Sequence, residues 1–221
     1  MKAFLEKLNL PYKDQSLYEL AMTHASYAYE YQTEKNERLE FLGDAVIELL
    51  MSDYLYKKDL EATEGKMTKK RAQAVREEAL VIYAKKIELD KEIKLGKGEQ
   101  LKGPNDAMIA DALEALFGAV YLDLGFLAAQ KLFFDIVTPH LNDVLTIKDY
   151  KSLLQELIQI GGKRNVTYQI TEERGPSHKR EFEAIVKLDQ HIILGSGRGK
   201  TKKEAEQNAA QEALKKGNYD S

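Results

Sequence analysis

From Ala107 through Leu122 every residue is apolar, aromatic or small except Asp111 and Glu114. A segment apolar on all sides predicts a buried helix. On a helix, positions i and i+3 share a face, so these two acids would lie side by side inside the protein. Adjacent carboxylates removed from water repel each other and take up protons unless something positive offsets them. The segment contains no Lys or Arg. A bound cation is the simplest source of the missing charge.

A second acidic stripe faces the same question. Residues 37–48 begin a long predicted helix in which Leu39, Leu42, Val46, Leu49 and Leu50 supply an apolar side. Glu37, Glu40, Asp44 and Glu48 fall at i, i+3 and i+4 spacings on another side, which alone would read as a solvated face. Two helices that each offer carboxylates three or four residues apart can converge on a hard divalent cation through oxygen ligands, the arrangement Mg²⁺ favours. A di-iron carboxylate site would want Glu-x-x-His, and Gly43 and Phe117 stand three residues after Glu40 and Glu114. A carboxylate oxidoreductase is therefore excluded on ligand type.

Asn36-Glu37-Arg38-Leu39-Glu40-Phe41-Leu42-Gly43-Asp44-Ala45 resembles the signature of the ribonuclease III family, and Asp111–Ala119 resembles that family's second acidic helix. Thr23-His24-Ala25-Ser26-Tyr27 is similar to a third, weaker block. The resemblance covers the chain to about Leu145. It implies an all-α endonuclease domain over residues 1–147 that cuts double-stranded RNA with Mg²⁺, Mn²⁺ being able to substitute. Glu40, Asp111 and Glu114 would be direct metal ligands. Asp44 would be a ligand through water or an orienter of the attacking one, with Asp44 and Glu114 the catalytic pair. Glu37 and Glu64 would serve as outer acids. Phe41 faces away from the acids beside it, and the resemblance implies that it packs into a partner subunit of a homodimer; an ordinary core phenylalanine is the competing reading. His24, beside Thr23 and Ser26, reads as a hydrogen-bonded structural histidine, since no carboxylate-rich motif adjoins it.

At 221 residues with 43% hydrophobic content the chain can build one large or two small cores. With no cysteine, neither disulfides nor a zinc-thiolate site is available, which fits the cytoplasm. No apolar run approaches the roughly 20 residues a membrane helix needs, and no targeting segment is expected. No P-loop or dinucleotide fingerprint occurs, so no nucleotide cofactor is expected. The net charge of −3 hides a division: residues 150–221 hold 13 Lys+Arg against 10 Asp+Glu, leaving 20 and 26 in residues 1–149. A basic rear half suits a polyanion.

Patterning changes near Lys148. Tyr150–Ile160 predicts a helix with Leu153, Leu154, Leu157 and Ile158 on one side, ended by Gly161-Gly162. Three alternating runs follow at 166–171, 182–188 and 191–195, with Phe182, Ala184, Val186 and Leu188 inward. Thr201-Lys202-Lys203-Glu204 is a capping box that opens a last helix. Lysines in a first turn oppose the helix dipole, so stability alone does not explain Lys202 and Lys203. With Arg198 and Lys200 they suit a phosphate clamp at that terminus.

Helix, three strands and helix make a small α+β unit (α-β-β-β-α). Lys151–Glu156, Gly175–Lys179 and Gly199–Glu206 resemble, in order, the first helix, the first loop and the second-helix start of the double-stranded RNA-binding domain. Here that domain would occupy residues 149–218. The resemblance implies that Gln155, Glu156, His178 and Lys179 touch successive minor grooves while Lys200, Lys202 and Lys203 span the phosphates between them. Both halves together predict an endoribonuclease that leaves 5′-phosphate and 3′-hydroxyl ends with short 3′ overhangs, in rRNA and other precursors. The rival is a duplex-RNA-binding regulator without catalysis, whose mark would be a missing carboxylate at one of the four key positions. None is missing.

Overall fold

In the computed structural model, the described residues are 1–145, 150–160, 164–176 and 180–217, and they fall into two compact units, Met1–Ile147 and Lys148–Ser221. The first unit is helical: α1 (Lys2–Lys7), α2 (Gln15–Ala21), α3 (Ala25–Tyr31), α4 (Glu37–Lys58), α5 (Glu64–Val75), α6 (Glu77–Lys86), α7 (Lys97–Gln100), α8 (Asp106–Leu124), α9 (Phe126–Ile136) and α10 (Leu141–Leu145). Among its described residues the one β-type pairing outside these helices is an isolated bridge between Thr23 and Lys94.

The all-round apolar segment is α8, and it runs through the core. Asn105 opens it by accepting a hydrogen bond from the Met108 N–H at 3.0 Å, and Gly125, at φ +85°, ends it. Its residues Leu113, Leu116 and Phe117 are fully buried, each worth about 1.5–3 kcal/mol relative to exposure. Helix α4 lies across it. The start of α4 is pinned by buried Asn36, whose side chain donates to the Ala21 carbonyl at 3.2 Å while its N–H donates to Thr23 at 3.0 Å.

Helix α4 buries Leu39, Val46, Ile47, Leu50, Met51 and Leu55. Leu42 is only partly buried and Leu49 is 57% exposed, so the inward face is rotated from the expected one, with Ile47 and Met51 in their place. The contact with α8 is made through glycine. An added Cβ on Gly43 would stand 1.7 Å from the Glu114 carbonyl oxygen, and one on Gly118 would stand 2.3 Å from that of Leu39.

The second unit has the order α11 (Tyr150–Ile160), β1 (Val166–Arg174), β2 (Glu181–Leu188), β3 (Ile192–Gly199) and α12 (Lys202–Lys216). The strands form an antiparallel sheet in sequence order, with Tyr168 opposite Val186 and Ala184 opposite Gly197. Its core joins Leu154 and Ile158 of α11, Ala184, Val186 and Leu188 of β2, and Ala205, Ala209, Ala210 and Ala213 of α12. Leu153 and Leu157 correct the expected apolar side of α11: they are 45% and 46% exposed, while Leu154 and Ile158 enter the core shared with β2 and α12. β1 and β3 each extend past their predicted ends, to Arg174 and Gly199. Gly161-Gly162 lies outside the described residues.

Candidate metal centre and RNA-binding surface

Helix α4 contributes Glu40 and α8 contributes Asp111 and Glu114 to one cluster, each offering a carboxylate oxygen within 4.8 Å of the others. All three are half-buried. Burial pushes Glu114 up to about 8, and the charges of Asp44, Asp111, Glu40 and Glu48 push the same way. Burial likewise raises Glu40, helped by Asp111, Glu37 and Asp44. The charges that act most strongly on these two groups are all negative. Burial also raises Asp111, with Glu77 adding to the effect and His24 opposing it. A half-buried set of hard oxygen donors surrounded mainly by further acids fits a hard divalent cation.

The acidic stripe does not act as one unit. Asp44 and Glu48 are exposed on α4 and reach the cluster through their charge on Glu114. Glu37 is exposed, acts on Glu40, and is paired with Lys35 at 2.5 Å. Glu64 stands apart from the three-carboxylate cluster: it opens α5, accepts from the Thr68 hydroxyl at 3.0 Å, and lines a groove of about 480 Å³ with Leu49, Ser52 and Tyr56 of α4.

Two influences on Asp111 could not be placed from the sequence, the charges of Glu77 and His24. Glu77 begins α6, far from either acidic motif, and only the fold brings its charge to bear. His24 is structural as expected, its Nδ1 accepting from the Ser26 N–H at 3.2 Å at the start of α3. Yet its charge also acts on Asp111, so a carboxylate-rich motif does adjoin it in space.

Phe41 is 82% exposed, which removes the core reading for this chain on its own. It shares its side of α4 with exposed Leu49 and Tyr56, spaced at multiples close to two helical turns.

In the second unit Thr201 caps α12 by accepting from the Glu204 N–H at 3.1 Å. The Glu204 carboxylate accepts from the Lys200 N–H at 2.7 Å, one residue earlier than a capping box expects. Lys200, Lys202 and Lys203 are exposed together at this terminus, with Lys202 Nζ 5.7 Å above the Phe182 ring. Arg198 departs from the expected clamp and bridges to Glu183 of β2 at 3.2 Å. On α11, Gln155 is half-buried and Glu156 exposed. His178 and Lys179 lie outside the described residues.

The description "Ribonuclease-III-like" matches residues 14–141, and "Double-stranded RNA binding motif" matches residues 150–216. The chain belongs to the ribonuclease III family. Ribonuclease 3 of Phytoplasma mali (strain AT) is 52% identical over 97% of this chain and 95% of that protein. Ribonuclease 3 of Bacillus cereus (strain G9842) is 47% identical over 97% and 90%. The nuclease domain of Campylobacter jejuni ribonuclease III, solved as a crystal structure, is 32% identical, with a TM-score of 0.59 over 63% of this chain and 95% of that one. A second structure of that domain (33% identical, TM-score 0.58, covering 62% and 94%) is described as showing structural flexibility in a region involved in dimer formation. Among the described residues of this family member, no helix is long and apolar enough to cross a membrane.

Proposed function

We propose that this ribonuclease III endoribonuclease cleaves double-stranded RNA with Mg²⁺ held by Glu40, Asp111 and Glu114, with Mn²⁺ able to substitute. The observation that carries the reading is the half-buried three-carboxylate cluster with Glu114 raised to about 8. When bound, the ion supplies Lewis acidity to water and charge neutralisation to the scissile phosphate. Glu40, Asp111 and Glu114 give up their protons to hold it. Asp44, exposed one turn from Glu40, orients the attacking water, and Glu37 and Glu64 act as outer acids. The products carry 5′-phosphates and 3′-hydroxyls with short 3′ overhangs, and rRNA and other precursors in the cytoplasm are the expected substrates.

Residues 1–147 form the catalytic domain and residues 149–218 the RNA-binding domain. Gln155, Glu156, His178 and Lys179 read minor grooves by shape, and Lys200, Lys202 and Lys203 hold phosphates. A duplex needs two cuts and one cluster makes one, so two copies pair through α4 with Phe41 entering the partner. Exposure of Phe41, and of Leu49 and Tyr56 where they line the α4–α5 groove, supports that pairing. Incubation of the protein with long duplex RNA in MgCl₂ tests the reading. Short duplexes with the stated ends are expected, and none when a chelator replaces the salt. Binding without cleavage in Mg²⁺ would favour the regulator instead.

A further inference from the structure

Glu40 reaches the cluster from α4, and Asp111 and Glu114 reach it from α8, so the distance between the two backbones sets the distance between the ligands. That distance is fixed at the cluster itself. A Cβ on Gly43 would meet the Glu114 carbonyl oxygen at 1.7 Å, its carbon at 2.5 Å and the Gly118 nitrogen at 2.9 Å. A Cβ on Gly118 would meet the carbonyl oxygen of Leu39, the neighbour of Glu40, at 2.3 Å. All are rigid backbone atoms, with no flexible side chain to move aside. Since carbon settles about 3.5 Å or more from such atoms, one methyl at Gly43, 1.7 Å from the Glu114 oxygen, would drive the helices apart by roughly 1.8 Å.

That displacement is large on the scale by which hard cations differ. Mg²⁺ requires oxygens at about 2.0–2.1 Å in near-octahedral geometry, whereas Ca²⁺ accepts about 2.3–2.6 Å and irregular shells. A fixed frame of short carboxylate arms discriminates by ion size, and a slack frame does not. We propose that Gly43 and Gly118 are positioning residues whose backbone contact sets the ion-size preference of the carboxylate site. The inference rests on the metal-centre reading above.

Thermal melting of the full chain without RNA, titrated with MgCl₂ or CaCl₂, reads both affinities, because an ion that binds only the folded state raises its melting temperature with concentration. Gly43→Ala and Gly118→Ala should each lose about tenfold or more in Mg²⁺ affinity while Ca²⁺ loses less, lowering the Mg²⁺/Ca²⁺ ratio. Gly98→Ala, where an added Cβ meets nothing within 4 Å, should leave both affinities unchanged. Equal weakening of the two ions, as a merely loosened fold would give, overturns the proposal.

Asp111→Glu decides the matter even if neither alanine variant folds. A fixed frame cannot widen to take the longer arm, so Mg²⁺ affinity should fall about tenfold; an unchanged affinity would mean the frame is slack. If MgCl₂ stabilises the wild type no more than Glu114→Gln, the metal-centre reading itself has failed and this inference falls with it.

Discussion

Glu114 in the first unit and Glu212 in the second are the same side chain in opposite settings. Glu212 accepts from the Ser196 N–H at 2.5 Å and pairs with Lys216 at 3.2 Å, and its carboxyl is held below the usual range, first by that backbone hydrogen bond. Asp189 is lowered likewise by the Asn165 N–H and by Arg164. Glu114 is half-buried among other acids and is raised to about 8. Where a carboxylate ties strands and helices together, this chain supplies the donor; at the α4–α8 crossing it supplies further negative charge. On the proposed metal-centre reading the unmatched charge is matched by a cation from outside, and the opposite shifts then divide structural acids from metal-binding ones.

Glu114→Gln should break the contrast most severely. It removes a proposed ligand and the one carboxyl of the cluster raised to about 8, so cleavage in Mg²⁺ should fall at least about a hundredfold, roughly 3 kcal/mol of barrier. Duplex binding should remain nearly intact. The metal-free variant should melt no lower than the wild type at pH 8, because an unmatched charge has gone. Asp44→Asn should also abolish cutting, and because Asp44 is exposed its removal should change metal-free stability little. A Glu114→Gln enzyme that cuts near the normal rate would remove Glu114 from the mechanism.

Phe41→Ala comes next. If the exposed ring packs across a two-fold axis, each substitution leaves an empty apolar socket in the partner, costing about 3–5 kcal/mol per site by analogy with buried large-to-small changes. Sedimentation at micromolar concentration should then show more monomer and slower cutting, while the folded protomer melts as before. A fully dimeric and active variant would end the pairing role.

A smaller effect should come from the exposed lysines of the second unit. Lys202→Ala with Lys203→Ala removes two phosphate contacts, so binding should weaken alike for all duplex sequences and its salt dependence should flatten by about two contacts. Cutting at saturating RNA should survive. A loss confined to certain sequences would contradict the phosphate clamp.

What could be read from the sequence followed from periodicity along single elements. The burial of α8, the placing of Asp111 beside Glu114, the order of the second unit and the inward Phe182, Ala184, Val186 and Leu188 all come from spacing within one helix or strand. Relations between elements were hidden. Leu49 and Leu153 are apolar residues at helix-compatible positions, but which flank of a helix meets a neighbour depends on where the neighbour lies. Glu77 reaches Asp111 only because α6 packs against α8. The glycine contact stood in plain view as Gly43 and Gly118, yet nothing local to either residue says that they face each other.

The last and smallest effect sharpens the contrast through pH. A carboxyl whose pKa is higher in the folded state than in the unfolded one favours folding fully only below the unfolded value and loses that contribution as pH rises through the folded value. For Glu114 the interval runs from its ordinary 4.5 to about 8, and the raised Glu40 and Asp111 act in the same sense. The lowered acids act in the opposite sense but at lower pH: Glu88, held down to about 2 by Lys7 and Lys91, and Asp189 and Glu212 have delivered their stabilisation by about pH 4.5. Metal-free protein should therefore lose a few degrees of melting temperature between about pH 5 and 8. Glu114→Gln should flatten the decline, and saturating MgCl₂ should reverse it, since bound metal holds the carboxylates in their charged form. A melting temperature in chelator that is level or rising across this interval would show that Glu114 is already matched within the chain.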